Sequence, residues 1–366
     1  MEKRILILTA GFGEGHNAAG RGIRDGLAAI ADGGAEVELH DLFAETYGLV
    51  NEWTRKGYLS LINRAPRAWS HFYRWLDRRE KFGPQFRWLS MARARLSELL
   101  LRFRPTTVVS VYPVYSYLIE AIFGETRPHF RQVVCITDSI TVNAIWFRGP
   151  ADLFLVPNDQ TASVIAAAGV PGDKVRVSGF PVSLKFTELG QLRALPDEAE
   201  RFRLLYMINS GGQIAPELIR GLRAIPGLHL TITVGRDERL RQKAEALRAE
   251  SGSEIEIIGW SDELPRLMLE SHFLLTKAGG ATTQEAIAAK CPMIINQVVP
   301  GQEEGNARLI VETNSGVVAT SANSIMAAVE QAMANGALVW REWSANISAL
   351  SRPRASLEIA ELLLAL

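Results

Sequence analysis

The stretch that decides the fold is residues 274–306, LLTKAGGATTQEAIAAKCPMIINQVVPGQEEGN. An apolar strand ends at Thr276, and Gly279 and Gly280 then turn the chain into a helix that opens at Ala281. Glycine lets a ligand approach the backbone closely, and a helix N-terminus presents unpaired N–H groups to an anion such as phosphate. The sequence therefore predicts a strand, turn and helix that together seat a phosphate group.

Polar residues follow this turn at two places. Glu285 lies one turn into the helix, where its carboxylate could accept hydrogen bonds from sugar hydroxyls. After the next strand, Pro300 and Gly301 force a turn, and Gln302 and Glu303 begin another helix. Two polar side chains at such a position suit the recognition of a hexose.

Apolar segments alternate with helical patterns along both halves of the chain. The predicted strands are residues 4–8, 36–40, 107–111, 133–137, 153–156, 175–177, 203–208, 228–234, 254–258, 273–276, 293–296 and 317–319. This alternation predicts an α/β fold with parallel sheets covered by helices. We expect two doubly wound domains that face each other across a cleft, with ligands at the carboxyl ends of the strands.

The predicted domain boundaries follow from the same alternation. A first domain covers residues 1–187 and contains a helical insertion at 51–105. A second domain covers residues 200–335, after a polar linker, and C-terminal helices in 336–366 are expected to pack back on the first domain.

The composition of the 366 residues fits a folded protein of the reducing cytosol. Hydrophobic residues make up 47% of the chain, enough for two cores. Cys135 and Cys291 lie in different halves, so a disulfide is not expected. The N-terminus has only a short apolar stretch and is predicted to be a strand, not a signal peptide. The apolar run at 106–119 is too short to span a bilayer.

The net charge is zero, but the charges are segregated. Residues 51–105 contain 13 basic and four acidic side chains, a net charge of +9, together with ten aromatic residues. Arginine interleaved with tryptophan is typical of a segment that binds an anionic membrane surface or a nucleic acid. A third interpretation is a pair of solvated helices whose aromatic residues face the core. The candidate membrane contacts are Arg64, Arg67, Trp69, Arg74, Trp75, Arg78, Arg79 and Trp88.

The segments TKAGGATTQEA and PGQEEGN resemble the donor-binding half of glycosyltransferases with the two-Rossmann GT-B fold. Among these the pattern is most similar to monogalactosyldiacylglycerol synthases and processive diacylglycerol glucosyltransferases, which are related to the enzyme that makes lipid II. The resemblance implies a UDP-sugar whose diphosphate, ribose and hexose are bound in this half. The implied donor-binding residues are Ser210, Gly211, Gly212, Gln213, Trp260, Ser261, Lys277, Gly279, Gly280, Ala281, Thr282, Glu285, Gln302 and Glu303.

Two N-terminal segments agree with the same family. GFGEGH, residues 11–16, resembles its acceptor-side glycine loop, and CITDSITVNAIWF, residues 135–147, resembles a T-D-x(4)-H-x-x-W element. Asn143 stands where that element has histidine, which removes an imidazole from the acceptor side. The implied acceptor-loop residues are Gly11, Gly13, Gly15 and Asn143.

The chemistry implied by the resemblance is an inverting transfer from a UDP-hexose to the hydroxyl of diacylglycerol. No D-x-D metal motif is present, so we expect no metal and no cofactor, with backbone donors and Lys277 stabilising the leaving diphosphate. The candidate bases are His16 and Asp138, and the sequence leaves both open. A helix dipole at His16 would keep its imidazole neutral.

The acceptor places the protein in the cytoplasm, peripheral on the inner face of the cell membrane. With the resemblance, docking on anionic lipid becomes the preferred interpretation of residues 51–105, and nucleic acid binding is not expected. The alternatives are transfer to another lipid, as in lipid II formation, a nicotinamide-dependent dehydrogenase with Glu38 or Asp41 as its ribose-binding acid, and a non-catalytic membrane module. The sequence does not distinguish galactose from glucose, one added sugar from several, or one oligomeric state from another.

Overall fold

A computed structural model of the chain describes residues 3–11, 13–48, 89–208, 214–251, 255–301 and 303–366. Within these residues it contains twelve strands, each overlapping one of the predicted strands. They are β1 (Lys3–Thr9), β2 (Ala35–Asp41), β3 (Thr107–Ser110), β4 (Arg131–Cys135), β5 (Leu153–Val156), β6 (Val175–Val177), β7 (Phe202–Met207), β8 (Leu228–Gly235), β9 (Ile255–Gly259), β10 (Phe273–Lys277), β11 (Met293–Gln297) and β12 (Gly316–Val318).

The chain divides into two compact units. The first unit contains Met1–Leu184, Val299–Gly305 and Arg354–Leu366, and its parallel sheet has the order β2-β1-β3-β4-β5-β6. Residues 5–8 of β1 are fully buried, as expected for a central strand covered on both faces. Its helices are α1 (Glu14–Ile30), α2 (Ser90–Phe103), α3 (Val114–Phe123), α4 (Asp159–Ala167) and, near the C-terminus, α12 (Ala355–Ala365), with a further helix at residues 42–48.

The last helix, α12, packs closely on α1. A Cβ atom at Gly22 would lie 2.1 Å from the carbonyl oxygen of Pro181, and one at Gly26 would lie 2.3 Å from that of Ser356. The hydroxyl of Ser356 donates to the carbonyl of Val182. Glycine is therefore required at two successive turns of α1, because a side chain at Gly22 would strike the backbone of Pro181 and one at Gly26 would push the last helix away.

The second unit contains Lys185–Val298 and Asn306–Pro353, and its parallel sheet has the order β12-β11-β10-β7-β8-β9. A sheet ordered in this way changes direction between β10 and β7, which creates a switch point at the carboxyl ends of these strands. Its helices are α5 (Lys185–Glu188), α6 (Ala215–Arg223), α7 (Glu238–Ser251), α8 (Leu264–Glu270), α9 (Gly280–Ala288) and α11 (Ala322–Leu350), the last of which is interrupted at residues 334–337. Helix α10 (Glu304–Glu312) begins in the first unit and continues in the second.

The segment predicted as a linker is part of the second unit. Arg193 is half-buried there, and its guanidinium donates to the carbonyls of Ser271 and Lys290. Only residues 89–105 of the predicted basic insertion are described. They include α2, whose Leu96 and Leu99 are buried in the core of the first unit. The eight candidate membrane residues lie outside the described residues.

Candidate functional site

The glycine loop of the first unit connects β1 to α1. Gly13 precedes the helix with φ −166°, an extended conformation open to any residue, and no side chain caps the helix. Gly15 and His16 are the second and third residues of α1. Backbone strain therefore does not explain why glycine occupies these positions. For Gly11 the explanation is a close contact with a carboxylate, described below.

His16 is held against the ends of two neighbouring strands. Its Nδ1 lies 3.1 Å from the hydroxyl of Thr137, and the carbonyl of Val111 accepts from the ring. The rings of Tyr112 and Trp146 lie 5.2 and 5.8 Å away, centroid to centroid. Desolvation lowers the pKa of His16 to about 4, and the Val111 bond opposes this shift only in part. The imidazole is therefore neutral at pH 7, with burial as the largest cause.

Asp138 follows β4, one residue after Thr137. One carboxylate oxygen, Oδ2, accepts from the indole nitrogen of Trp146 at 2.8 Å. Desolvation raises the pKa of Asp138 to about 6, while the Trp146 bond lowers it. The side chain is half-buried, so it remains accessible. A carboxylate with a pKa near the working pH is well suited to general base catalysis.

The structure therefore brings the two candidate bases into one site. Trp146, which is almost fully buried, contacts the ring of His16 and binds the carboxylate of Asp138. Of the two groups, Asp138 has the pKa that better fits a base at neutral pH, because an imidazole with a pKa of about 4 binds a proton weakly.

Asn143, predicted as an acceptor-loop residue, is buried beside this site. Its side-chain oxygen accepts from the N–H of Ile145 at 3.1 Å and caps the short 3₁₀ helix Ala144–Trp146. This helix carries the indole that binds Asp138. The described contact of Asn143 is therefore with the backbone that positions Trp146.

Asp41 ends β2 at the position where a dinucleotide-binding fold has its ribose-binding acid. Here its Oδ2 accepts from the N–H of Gly11 at 2.7 Å, and its Oδ1 accepts from the N–H of Ala44 at 2.9 Å. Glu38, the other candidate acid, is bonded to His40 and Arg102. Protein groups thus occupy both carboxylates, which argues against the dehydrogenase interpretation.

The phosphate turn of the second unit lies between β10 and α9. Gly279 precedes α9 in an extended conformation, and no side chain caps the helix. A Cβ atom at Gly279 would lie 3.7 Å from Nζ of Lys277 and 3.9 Å from the hydroxyl of Thr282, so both groups border the turn. Gly280 and Ala281, the first two residues of α9, are half-buried. The start of α9 offers N–H groups beside a cation, as an anion site requires.

Two further residues border this turn. Glu285 is half-buried one turn into α9. Asn306, the last residue of the PGQEEGN segment, donates from its amide to the carbonyl of Ala278 at 3.1 Å. The two motifs of the donor half are therefore bonded directly to each other, through a contact that the sequence did not identify.

The loop after β9 presents an aromatic face. Trp260 is 56% exposed, and the guanidinium carbon of Arg236 lies 4.2 Å from the centroid of one of its rings. Ser261 accepts from the N–H of Glu263 at 3.0 Å, next to the start of α8. The sequence identified Trp260 and Ser261 but not Arg236, whose position depends on the neighbouring strand β8.

Glu303 belongs to the first unit by its contacts. It is buried, and its carboxylate accepts from the N–H of Val299 at 3.0 Å, within its own loop. The N–H of Gly305 donates to the hydroxyl of Thr141 at 2.9 Å. This loop therefore lies against the segment that follows Asp138. The remaining predicted donor residues, Ser210, Gly211, Gly212, Gln213 and Gln302, lie outside the described residues.

The described part of the chain contains no cluster of three or more His, Cys, Asp or Glu side chains that could hold a metal ion. None of the described helices is long and apolar enough to cross a membrane.

Comparison with known proteins confirms the resemblance predicted from the motifs. A family model described as monogalactosyldiacylglycerol (MGDG) synthase matches residues 16–182, which lie within the first unit. The processive diacylglycerol beta-glucosyltransferase of Bacillus subtilis (strain 168) is 25% identical over 345 residues, covering 91% of this chain and 87% of the relative. The protein of the same name from Bacillus cereus (strain G9842) is 24% identical, covering 89% and 84%.

Solved structures with the same fold include glycosyltransferases. MurG of Acinetobacter baumannii superposes with a TM-score of 0.61 at 12% identity, over 100% of both chains. The calicheamicin glycosyltransferase CalG4 gives 0.58 at 16% identity, covering 100% of this chain and 98% of that one. Staphylococcus aureus MnaA, solved with UDP, gives 0.62 at 14% identity, covering 97% and 94%. These similarities confirm the predicted GT-B fold, with two Rossmann-like units.

Proposed function

We propose that this relative of the diacylglycerol glycosyltransferases transfers a hexose from a UDP-sugar to the hydroxyl of diacylglycerol. The observation that carries the proposal is the carboxylate of Asp138, which is held by Trp146 at 2.8 Å and has a pKa of about 6. Such a group can take a proton from a lipid hydroxyl at neutral pH. Sequence similarity to the diacylglycerol glucosyltransferases over most of both chains supports the choice of acceptor.

In the proposed reaction, Asp138 removes the proton as the hydroxyl oxygen attacks C1 of an α-linked sugar. The C1–O bond to the diphosphate breaks, and UDP leaves with the bonding electrons. The product is a β-glycoside, so the configuration at C1 is inverted. The beta-glucosyltransferase names of the relatives agree with this stereochemistry. His16 is neutral in this scheme and orients the hydroxyl instead of accepting its proton.

The second unit would supply the seat for the departing diphosphate. The N–H groups at the start of α9 and the ammonium of Lys277 border one turn, and this combination stabilises negative charge without a metal ion. We therefore propose that transfer is independent of divalent cations.

We further propose glucose as the preferred hexose. The relatives named as glucosyltransferases match nearly the whole chain, including the unit that contains the phosphate turn. The galactose-named family model matches only residues 16–182. The enzyme would act in the cytoplasm on the inner face of the membrane, where anionic lipids attract the basic residues of segment 51–105.

The test is a transfer assay with purified protein and vesicles that contain diacylglycerol. Radiolabelled UDP-glucose and UDP-galactose are offered separately, with and without chelator, and the lipid products are separated and their anomeric configuration is determined. We expect a β-glucosyl lipid from UDP-glucose, and a ladder of products if several sugars are added. An undecaprenyl-linked muropeptide offered in parallel tests the other acceptor.

Asp138→Asn is the matched control for this assay, because an amide oxygen can still accept from Trp146 but cannot act as the base. A lack of glycolipid product from the wild-type protein, or equal turnover by Asp138→Asn, would contradict the proposal.

A further inference from the structure

The carboxylate of Asp41 connects the end of β1 to the helix that follows β2. Asp41 is paired in register with Thr9, the last residue of β1. Its two oxygens accept from the N–H groups of Gly11 at 2.7 Å and Ala44 at 2.9 Å. Each of these bonds joins a charged acceptor to a backbone donor, and such bonds are stronger than neutral ones.

A second bridge runs beside the first. The hydroxyl of Tyr115, which is fully buried, donates to the carbonyl of Thr9 at 2.6 Å and accepts from the N–H of Leu42 at 3.2 Å. The start of the glycine loop and the start of the helix at residues 42–48 are therefore fixed to each other twice.

Gly11 allows the carboxylate to come this close. A Cβ atom at Gly11 would lie 3.1 Å from Oδ2 of Asp41, closer than ordinary van der Waals contact. The backbone of Gly11 does not have a positive φ, so conformational freedom is not the reason for glycine. Gly11 and Asp41 therefore act as a pair, in which the missing side chain of Gly11 leaves room for the carboxylate of Asp41.

The glycine loop is anchored at its other end as well. The hydroxyl of Thr9 donates to the side-chain oxygen of Asn17 at 2.9 Å. His16 lies between the two anchors, and its Nδ1 is 3.1 Å from Thr137, the residue before Asp138. The loop can therefore set the distance between the imidazole and the proposed base.

We propose that Asp41 is a positioning residue for the transfer reaction, which holds the glycine loop through Gly11 so that His16 stays against Thr137 beside Asp138. This inference rests on the proposed function for its kinetic consequence only. Asp41 does not touch the acceptor in this scheme, and its effect passes through the loop to His16.

Asp41→Asn tests the proposal with little change in size. The amide has one acceptor oxygen and presents N–H donors in place of the other, so the backbone N–H groups on that side lose their acceptor. We expect kcat for glycolipid formation to fall by roughly tenfold to a hundredfold, because small displacements of reacting groups reduce rates by factors of this size. The KM for UDP-glucose should stay within about twofold, because the substitution does not alter the residues proposed to bind the donor. Asp197→Asn is the matched control, because Asp197 is an exposed carboxylate of the second unit that pairs with Arg341.

A second readout does not depend on turnover. NMR titration of the His16 imidazole should give a pKa of about 4 in the wild-type protein. In Asp41→Asn the loosened loop admits water, and the pKa of His16 should rise toward its ordinary value. If the wild-type protein makes no glycolipid, the proposed function fails, but this titration still tests the role of Asp41.

Gly11→Ala gives an independent variant if Asp41→Asn does not fold. Its Cβ atom would press on Oδ2 of Asp41, and we expect the same two changes. Gly172→Ala is its control, because no atom lies within 4 Å of the added methyl group and the backbone there has no positive φ. A His16 pKa near 4 in the folded loop variants, with wild-type kcat, would overturn the proposal.

Discussion

The pH dependence of transfer separates the two candidate bases. Asp138, with a pKa of about 6, must be ionised to accept a proton, so its active fraction falls as the pH falls. At pH 5 about a tenth of such a group is ionised, and at pH 4 about a hundredth. His16, with a pKa of about 4, would still be about nine-tenths neutral at pH 5. If Asp138 is the base, kcat/KM should therefore drop about tenfold per pH unit below 6, and if His16 is the base it should stay nearly constant down to pH 5.

The indole of Trp146 allows this interpretation to be checked within the site. Its bond to Asp138 lowers the pKa of that carboxylate, so Trp146→Phe should raise it. A hydrogen bond to a charged group contributes about 1.5–3 kcal/mol, which corresponds to a shift of roughly one to two pH units. The inflection of the kcat/KM profile should move to higher pH by about that amount, because a carboxyl group with a raised pKa ionises at a higher pH.

The assay measures initial rates of glucosyl transfer across the pH range in vesicles of one fixed anionic composition, and a lipid-bound indicator reports the surface pH, because an anionic surface concentrates protons. Protein held at each pH and returned to neutral pH controls for irreversible loss. An inflection near pH 4 would assign the base to His16, and an inflection that Trp146→Phe leaves unmoved would refute the assignment to Asp138.

Three further predictions concern stability, metal and membrane. Gly26→Ala places a Cβ atom 2.3 Å from the carbonyl of Ser356, and we expect the free energy of unfolding to fall by about 1–3 kcal/mol in urea titrations, whereas Gly172→Ala should change it little. An unchanged midpoint for Gly26→Ala would show that α1 and α12 do not pack as described. Chelator should leave the transfer rate unchanged, and activity restored only by added Mg²⁺ or Mn²⁺ would show that a metal is required. Raised salt should release the protein from acidic vesicles, because segment 51–105 has a net charge of +9; equal binding to neutral vesicles would rule out this electrostatic mode.

The strands were predictable because parallel strands buried on both faces are continuous apolar runs. Residues 5–8 are an example, and their burial is complete in the structure. The phosphate turn at Gly279 was predictable for a similar reason, since a glycine pair between a strand and a helix is a local signal.

The contacts of the acceptor side were not predictable in this way. The bonds from Gly11 to Asp41 and from Trp146 to Asp138 join residues that the sequence singled out separately but did not pair. Burial sets the pKa of His16 and Asp138, and burial depends on the packed surroundings. The sequence assigned the neutral state of His16 to a helix dipole, whereas desolvation is the larger cause in the structure.

The return of α12 to the first unit affects how the protein is made. During translation, the helix that covers Gly22 and Gly26 follows α1 only after the whole second unit. Until then the glycine face of α1 is open to solvent or to a chaperone. The contact of α1 with α12 can therefore form only after residues 354–366 have emerged.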